Sequence, residues 1–292
     1  MISNLLLATT LSIFNYVNAP VAEMFEEPKE GSELVSQAYY SEPITILEEA
    51  ADGWVKIQTN VDNYQGWAKK SNIFQRENAF LSDPSIESVK VNRCAAHIYR
   101  IEDTIYGPLM TLPFESRLAL LSSTSDTESR WLKVALLDGR EAYIQRGDVT
   151  FKKNLITPNE MCLLSLRFLD LPYTWAGRSS FGYDCSGFTQ MLYRQMGIYL
   201  PRDSKDQIQW EGFTAIPMDK LQAGDLVFFG RSEEKFSHVA MFIGDDRIIH
   251  PNVQENAPYL RITRLSDDTW NGSGVFKYRA ARTARRHPIL NN

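Results

Sequence analysis

The stretch Asp184-Cys185-Ser186-Gly187-Phe188-Thr189-Gln190-Met191-Leu192-Tyr193-Arg194-Gln195-Met196-Gly197 sets a thiol at the start of an amphipathic helix. Phe188, Met191, Leu192 and Met196 recur at three- and four-residue spacing. Asp184 suits the N-cap, and Gly197 provides a stop before Leu200-Pro201. Cys185 therefore falls in the first turn. Unpaired backbone N–H groups and the positive helix end favour a thiolate there and lower its pKa. The same N–H groups can stabilise an oxyanion.

Upstream, Pro172-Tyr173-Thr174-Trp175-Ala176-Gly177-Arg178-Ser179-Ser180-Phe181-Gly182 is rich in glycine and aromatics and reads as a surface loop shaping a cleft around the thiol. Downstream, Leu226 to Phe229 and Val239 to Ile243 read as strands, the second turned by Gly244-Asp245-Asp246 into Arg247 to His250. A three-residue loop pairs Ile243 with Arg247, sets Ala240 opposite His250 and leaves His238 on the face of His250, diagonally across the hairpin. A two- or four-residue loop puts the two histidines on opposite faces. With a shared face, a thiol, a base and a group that orients the base through its other ring nitrogen are all present. Cys94, Cys162, His97 and His287 lack such company and read as structural residues, Cys162 as helix core.

Several ordered motifs join these residues: Tyr173-Thr174-Trp175-Ala176-Gly177, Gly182 to Phe188, Leu200-Pro201-Arg202-Asp203-Ser204 with Gln207, Leu221 to Phe229, and Ser237-His238-Val239-Ala240 closing on Ile249-His250. Together they resemble the NlpC/P60 family, bacterial papain-like cysteine peptidases acting on cell-wall peptides. The resemblance covers residues 153–285. It implies that Cys185 is the nucleophile, His238 the general base and His250 the orienting residue. It also implies that Tyr173 assists the oxyanion hole and that Asp184 and Ser186 line the substrate pocket. Ala176 departs from the glycine usual in the family, and its methyl is expected to narrow the cleft.

The preceding half reads as short strands and turns. Gly53-Trp54-Val55-Lys56-Ile57 followed by Gly66-Trp67-Ala68 is echoed by Arg130-Trp131-Leu132-Lys133-Val134 followed by Ala142-Tyr143-Ile144. The two copies resemble bacterial SH3 domains, the second without the Gly-Trp pair. A linker is expected around Glu77 to Lys90, with Asp83-Pro84-Ser85, and Thr157-Pro158-Asn159-Glu160 reads as a capping box with proline at the first helical position. The expected architecture is thus α+β: an SH3-like domain at residues 16–78, a second at 88–152, and a papain-like catalytic domain at 153–285. This order resembles the γ-D-glutamyl-L-diamino acid endopeptidases, in which the first SH3-like domain blocks the glycan side of the cleft. Specificity in that group depends on a free N-terminal L-alanine, whose ammonium is held by acidic and tyrosine side chains. The resemblance places that role on Asp184 and Tyr64, with Glu33 the SH3-borne carboxylate.

The chain has 292 residues and a formal net charge of -5, which argues against a nucleic-acid binder; the basic run Arg279 to His287 reads as a solvated tail. Its three cysteines lack the close pairing of zinc sites, so neither metal nor cofactor is expected, and a required free thiol fits a reducing compartment. Residues 2–14 are apolar but too short to span a membrane, and no Lys or Arg precedes Lys29. With the first strand expected near Ala19-Pro20-Val21, little room remains for a cleavage site, and the expectation is a cytoplasmic monomer, with the periplasm as alternative. The expected reaction is hydrolysis of the γ-D-glutamyl-diamino acid bond in free peptidoglycan stem peptides. The alternatives are cleavage of intact, glycan-linked stems or acyl transfer by the same thiol, or a non-catalytic wall-binding protein.

Overall fold

Strands that alternate buried and outward side chains, with others buried over consecutive residues, build two β-domains with one strand plan. A computed structural model describes residues 13–81, 86–122, 128–151, 154–232, 235–253, 258–266 and 281–291. Most of the apolar stretch 2–14, the Asp83-Pro84-Ser85 segment and the first part of the Arg279 to His287 run lie outside these described residues.

The first sheet comprises β1 (Phe14–Val17), β2 (Val21–Phe25), β3 (Leu34–Tyr39), β4 (Pro43–Glu49), β5 (Trp54–Thr59), β6 (Gln65–Lys69) and β7 (Ile73–Arg76), in the order β3-β2-β6-β5-β4-β1-β7. The second comprises β8 (Ser88–Val91), β9 (Ala95–Tyr99), β10 (Met110–Pro113), β11 (Arg117–Leu120), β12 (Trp131–Ala135), β13 (Glu141–Gln145) and β14 (Val149–Thr150), in the order β10-β9-β13-β12-β11-β8-β14. Strand for strand the two orders are the same, and Trp54 and Trp131 each open the fifth strand. In β12, Leu132 and Val134 point inward while Trp131, Lys133 and Ala135 are half-buried, the period of two that a one-sided sheet demands. The first strand starts earlier than expected: Tyr16 already pairs with Pro43 and Phe74 in the ladder. The two β-domains share a core, because Tyr16 and Tyr40 of the first join the apolar cluster of the second. Their hydroxyls accept from the amides of Phe80 (2.9 Å) and Leu137 (2.8 Å).

The remaining chain forms α1 (Pro158–Ser165), β15 (Arg178–Ser179), β16 (Gly182–Tyr183), α2 (Cys185–Gln195), α3 (Ser204–Gln207), β17 (Thr214–Ile216), β18 (Leu226–Gly230), β19 (Phe236–Gly244), β20 (Arg247–Pro251), β21 (Leu260–Arg264) and β22 (Ala281–Arg286). Six of its strands make an antiparallel sheet, β17-β22-β18-β19-β20-β21. The capping box forms: Thr157 Oγ1 accepts from the Glu160 amide, and the Glu160 carboxylate accepts from the Thr157 amide at 2.8 Å. α2 packs Phe188, Met191 and Leu192 into one cluster with Leu226, Phe228, Val239 and Met241, which fixes the helix on the sheet.

Candidate active site

The chain entering α2 is gripped from both β-domains. Ala176 to Ser180, expected at the surface, is buried throughout. The buried Arg178 amide donates to Gln37 Oε1 (3.0 Å), and its guanidinium donates to the Gln37 carbonyl and to both oxygens of Glu42 (2.9 and 2.8 Å). On the other side Ser180 Oγ accepts from the Phe114 amide (2.8 Å) and donates to the Cys94 carbonyl. The glycines of this segment serve close packing rather than flexibility: a Cβ on Gly187 would stand 2.3 Å from the Gly177 carbonyl oxygen.

Asp184 caps α2 as expected, accepting from the Gly187 amide at 2.7 Å. Its carboxylate is also engaged by a neighbouring arginine. Arg202 donates to both of its oxygens (3.1 and 2.6 Å) and also to Ser186 Oγ (3.0 Å), while Ser186 Oγ donates to Asp184 (3.2 Å). Arg202 Nε reaches across to Ser36 Oγ of the first β-domain at 3.0 Å. Asp184 and Ser186 therefore belong to one buried network around a guanidinium. The Cys185 thiol lies against the backbone amides of Val239 and Ser186, yet burial first and the Asp184 charge second push it up to about 12. This corrects the expectation of a lowered thiol pKa: desolvation by the whole fold outweighs the helix end and the Arg202 charge.

His238 Nε2 and His250 Nδ1 are 2.7 Å apart, with both rings buried. The hairpin reaches this result by a different route from the one expected. Asp245 and Asp246 form a two-residue turn with φ of 49° and 58°, and Gly244 pairs with Arg247. A bulge between Phe242 and Gly244 then inserts Ile243, so that Phe242 pairs with Ile248 and Met241 with Ile249. The turn and the bulge together restore the register that a three-residue loop would give, and the histidines share a face. Burial holds His238 down, to about 3, and holds His250 well below the usual imidazole range, where the His238 and Arg261 charges add to it.

Residues 170–275 match the family described as NlpC/P60 family, and residues 24–73 match the bacterial dipeptidyl-peptidase Sh3 domain. The chain is 34% identical to the gamma-D-glutamyl-L-lysine dipeptidyl-peptidase of Bacillus cereus, over 75% of this chain and 67% of the relative. The chain belongs to the NlpC/P60 family. It is also 28% identical to dipeptidyl-peptidase 6 of Lysinibacillus sphaericus, over 82% of this chain and 88% of that protein. A crystal structure of an NlpC/P60 family protein from Bacillus cereus superposes with a TM-score of 0.77 at 25% identity, covering 94% of this chain and 99% of the other. NlpC/P60 proteins are cysteine peptidases, and this chain is a hydrolase of that kind.

Within this NlpC/P60 frame, Ala176 has a φ of 56°, the left-handed region where a Cβ costs about 1 kcal/mol; backbone conformation, rather than cleft width, is what the methyl strains. Tyr173 is half-buried and bridges in parallel to Tyr183, two residues before the thiol. Tyr64 packs its ring on the first β-domain core, and its phenol is pushed up to about 12, by burial first and then by Asp203. Asp203 itself is raised by burial; Lys205 approaches it at 3.6 Å, while the neighbouring Arg202 is engaged by Asp184. Sequence reading passed over Asp203 although it stands in the quoted Pro201-Arg202-Asp203-Ser204 run. Glu33 is exposed, next to Leu34 whose carbonyl accepts from Trp175 Nε1 at 3.1 Å.

Thr263 is a second residue the sequence did not announce. Its Oγ1 stands 3.0 Å from His250 Nε2, on the strand paired with β20. A proton on His250 Nε2 donated to this hydroxyl leaves Nδ1 to accept from His238 Nε2–H, and the lone pair of His238 then lies on Nδ1. Thr263→Val is expected to lower kcat/KM by about tenfold or more, the cost of an unsatisfied buried donor, and Thr263→Ser to restore it. Unchanged steady-state kinetics in the valine variant would show that the hydroxyl does not hold the tautomer.

Proposed function

We propose that this NlpC/P60 protein is a cysteine endopeptidase that cleaves the γ-D-glutamyl-diamino acid bond of peptidoglycan stem peptides bearing a free N-terminal L-alanine. Cys185 attacks the γ-D-glutamyl carbonyl, His238 takes the thiol proton and returns it to the leaving amine, and water hydrolyses the acyl-enzyme. His250 orients His238, and Tyr173 borders the oxyanion position. The likeness to gamma-D-glutamyl-L-lysine dipeptidyl-peptidases supports the bond assignment. The observation that carries the amine preference is the half-buried Asp203 carboxylate beside Tyr64, at the contact of the first β-domain with the catalytic domain. An ammonium there meets a carboxylate that Arg202 and Lys205 stabilise through space but that burial still holds raised. An N-acylated substrate forgoes that interaction and leaves Asp203 with Lys205, at 3.6 Å, as its ion partner. Tyr64 keeps the ammonium role first read for it together with Asp184, whose carboxylate also organises Arg202, and in this reading Asp203 joins them in place of the exposed Glu33. A free-amine peptide is one already released from glycan, and this fits recycling inside the cell.

Mass spectrometry of products from L-Ala-γ-D-Glu-meso-diaminopimelate and its N-acetylated twin tests the reading. L-Ala-D-Glu is expected from the free-amine peptide alone, with no release by Cys185→Ala. In Asp203→Asn the preference for the free amine is expected to fall at least tenfold. Equal cleavage of both peptides by the wild type would overturn the recycling assignment in favour of a wall-remodelling hydrolase.

A further inference from the structure

The internal repeat extends to one corner that both β-domains use for docking. Ser41 and Glu115, 74 residues apart, occupy the same turn between third and fourth strands, and both have left-handed backbones, with φ of 67° and 75°. Ser41 N–H donates to the Val17 carbonyl (2.9 Å) and Glu115 N–H to the Val91 carbonyl (3.1 Å), equivalent bonds at the same spacing. Each corner also delivers a buried carboxylate to an arginine of the catalytic domain, Glu42 to Arg178 and Glu115 to Arg194. Strained non-glycine residues of this kind persist where the surrounding structure holds them for a purpose.

Between the two corners and the last turn of α2 lies a cleft of about 500 Å³, bounded by all three domains. Among the described residues its charges do not balance. Glu42 is satisfied by Arg178. Both oxygens of Glu115 are taken, by Arg194 at 3.1 and 2.5 Å and by Gln195 at 2.5 Å. Among the described residues three cations line the same space, of which Arg194 is already paired with Glu115. Lys90 Nζ meets the neutral Gln195 Oε1 at 2.8 Å. Arg117 is exposed, with its amide held by Ser41 Oγ at 2.9 Å. The Arg194 side chain is 8% exposed, and its buried Nη1 has no hydrogen-bond partner among the described residues. Lys90 and Arg117 are paired across β8 and β11, so the Arg117 and Arg194 charges work against Lys90 while Glu115 works for it. An anion entering the cleft relieves the repulsion between these like charges.

We infer that this cleft binds a small organic anion, its carboxylate or phosphate oxygens set between the Lys90 ammonium and the Arg117 and Arg194 guanidinium groups. The volume exceeds that of a bare anion, and Phe151 and Tyr199 offer apolar surface for the rest of the ligand. Arg194 lies nine residues beyond Cys185, about 14 Å along α2, so the site is separate from the peptide cleft.

Isothermal titration of the full chain at low ionic strength with inorganic phosphate, and separately with succinate, tests this. Saturable binding of one molecule per chain is expected for at least one probe, and the preferred probe identifies the ligand as a phosphate or a carboxylate. Arg117→Gln, at an exposed position, and Lys90→Met are each expected to weaken that binding about tenfold or more, and in Arg117→Gln, which leaves every contact to α2 in place, peptidase kcat/KM stays unchanged. Absence of binding by both probes, or equal affinity in wild type and both variants, would overturn the assignment.

Discussion

His238→Ala leaves Cys185 almost inert to iodoacetamide at pH 7, and peptidase activity falls with it. Burial and the Asp184 charge raise the thiol to about 12, against about 8.5 for a cysteine in water. Only a base that takes the proton makes the sulfur nucleophilic near neutrality. Without His238 the thiolate fraction at pH 7 is lower than that of an exposed cysteine by on the order of a thousandfold. The sign follows from the direction of the shift: a raised thiol pKa depletes thiolate at fixed pH, and the alkylation rate then climbs tenfold per pH unit up to that pKa. Mass-spectrometric alkylation rates between pH 6 and 10 give the profile. A variant alkylated as fast as an exposed cysteine at pH 7 would show that the protein itself, without the histidine, makes the thiolate, and the general-base assignment would fall. In the wild type, burial penalises an isolated thiolate and an isolated imidazolium alike, so the proton rests on sulfur until the pair forms together.

The second large effect is on stability. Arg178→Met removes the guanidinium that binds both oxygens of Glu42 and stands 3.5 Å from Asp62, with all three side chains at most 3% exposed. Two carboxylates then lose their counter-charge inside the protein, at a cost of about 3–5 kcal/mol. The pH dependence separates this from a loss of packing. Burial works against the Asp62 carboxylate, but Arg178 and hydrogen bonds from Thr59, Gln190 and the Tyr64 amide hold it below its usual range. A depressed carboxylate contributes stability that is fully present above its unfolded pKa and is lost as pH falls through its folded value. The deficit of Arg178→Met in urea unfolding is therefore largest at neutral pH and is already smaller at pH 4, because burial without the guanidinium raises the orphaned Asp62 above the ordinary carboxylate range and it protonates on the way down. A deficit equal at pH 7 and pH 4 would assign the loss to side-chain volume alone.

What the sequence disclosed and what it hid divide along physical lines. α2, its Asp184 cap and its end at Gly197 rest on local spacing and capping, and the structure shows each of them. The capping box at Thr157 and the strands of the histidine hairpin are local in the same way. Hidden features depend on contacts between distant segments. The burial of Ala176 to Ser180 needs both β-domains in place. The engagement of Asp184 needs Arg202, 18 residues on, and the raised thiol pKa sums desolvation over the whole fold. The hairpin is intermediate: Gly244-Asp245-Asp246 announced a turn, but the bulge at Ile243 leaves no mark in residue type. Thr263 was hidden because its strand pairs with β20 across a segment carrying no motif.

Helix α2 is fastened at three heights by side chains from the β-domains. Ser36 reaches its first turn through Arg202 and Asp184, Asp62 accepts from Gln190 at 2.8 Å midway, and Glu115 holds Arg194 at the last turn. In machining terms the β-domains are the jig and the helix is the workpiece. The aim of the sulfur is referenced to two neighbouring domains as well as to its own sheet. A displacement of about 1 Å in reacting geometry can cost about a hundredfold in rate. The alignment tolerance of the reaction is therefore written into the far side of the molecule, in residues that never meet the peptide bond.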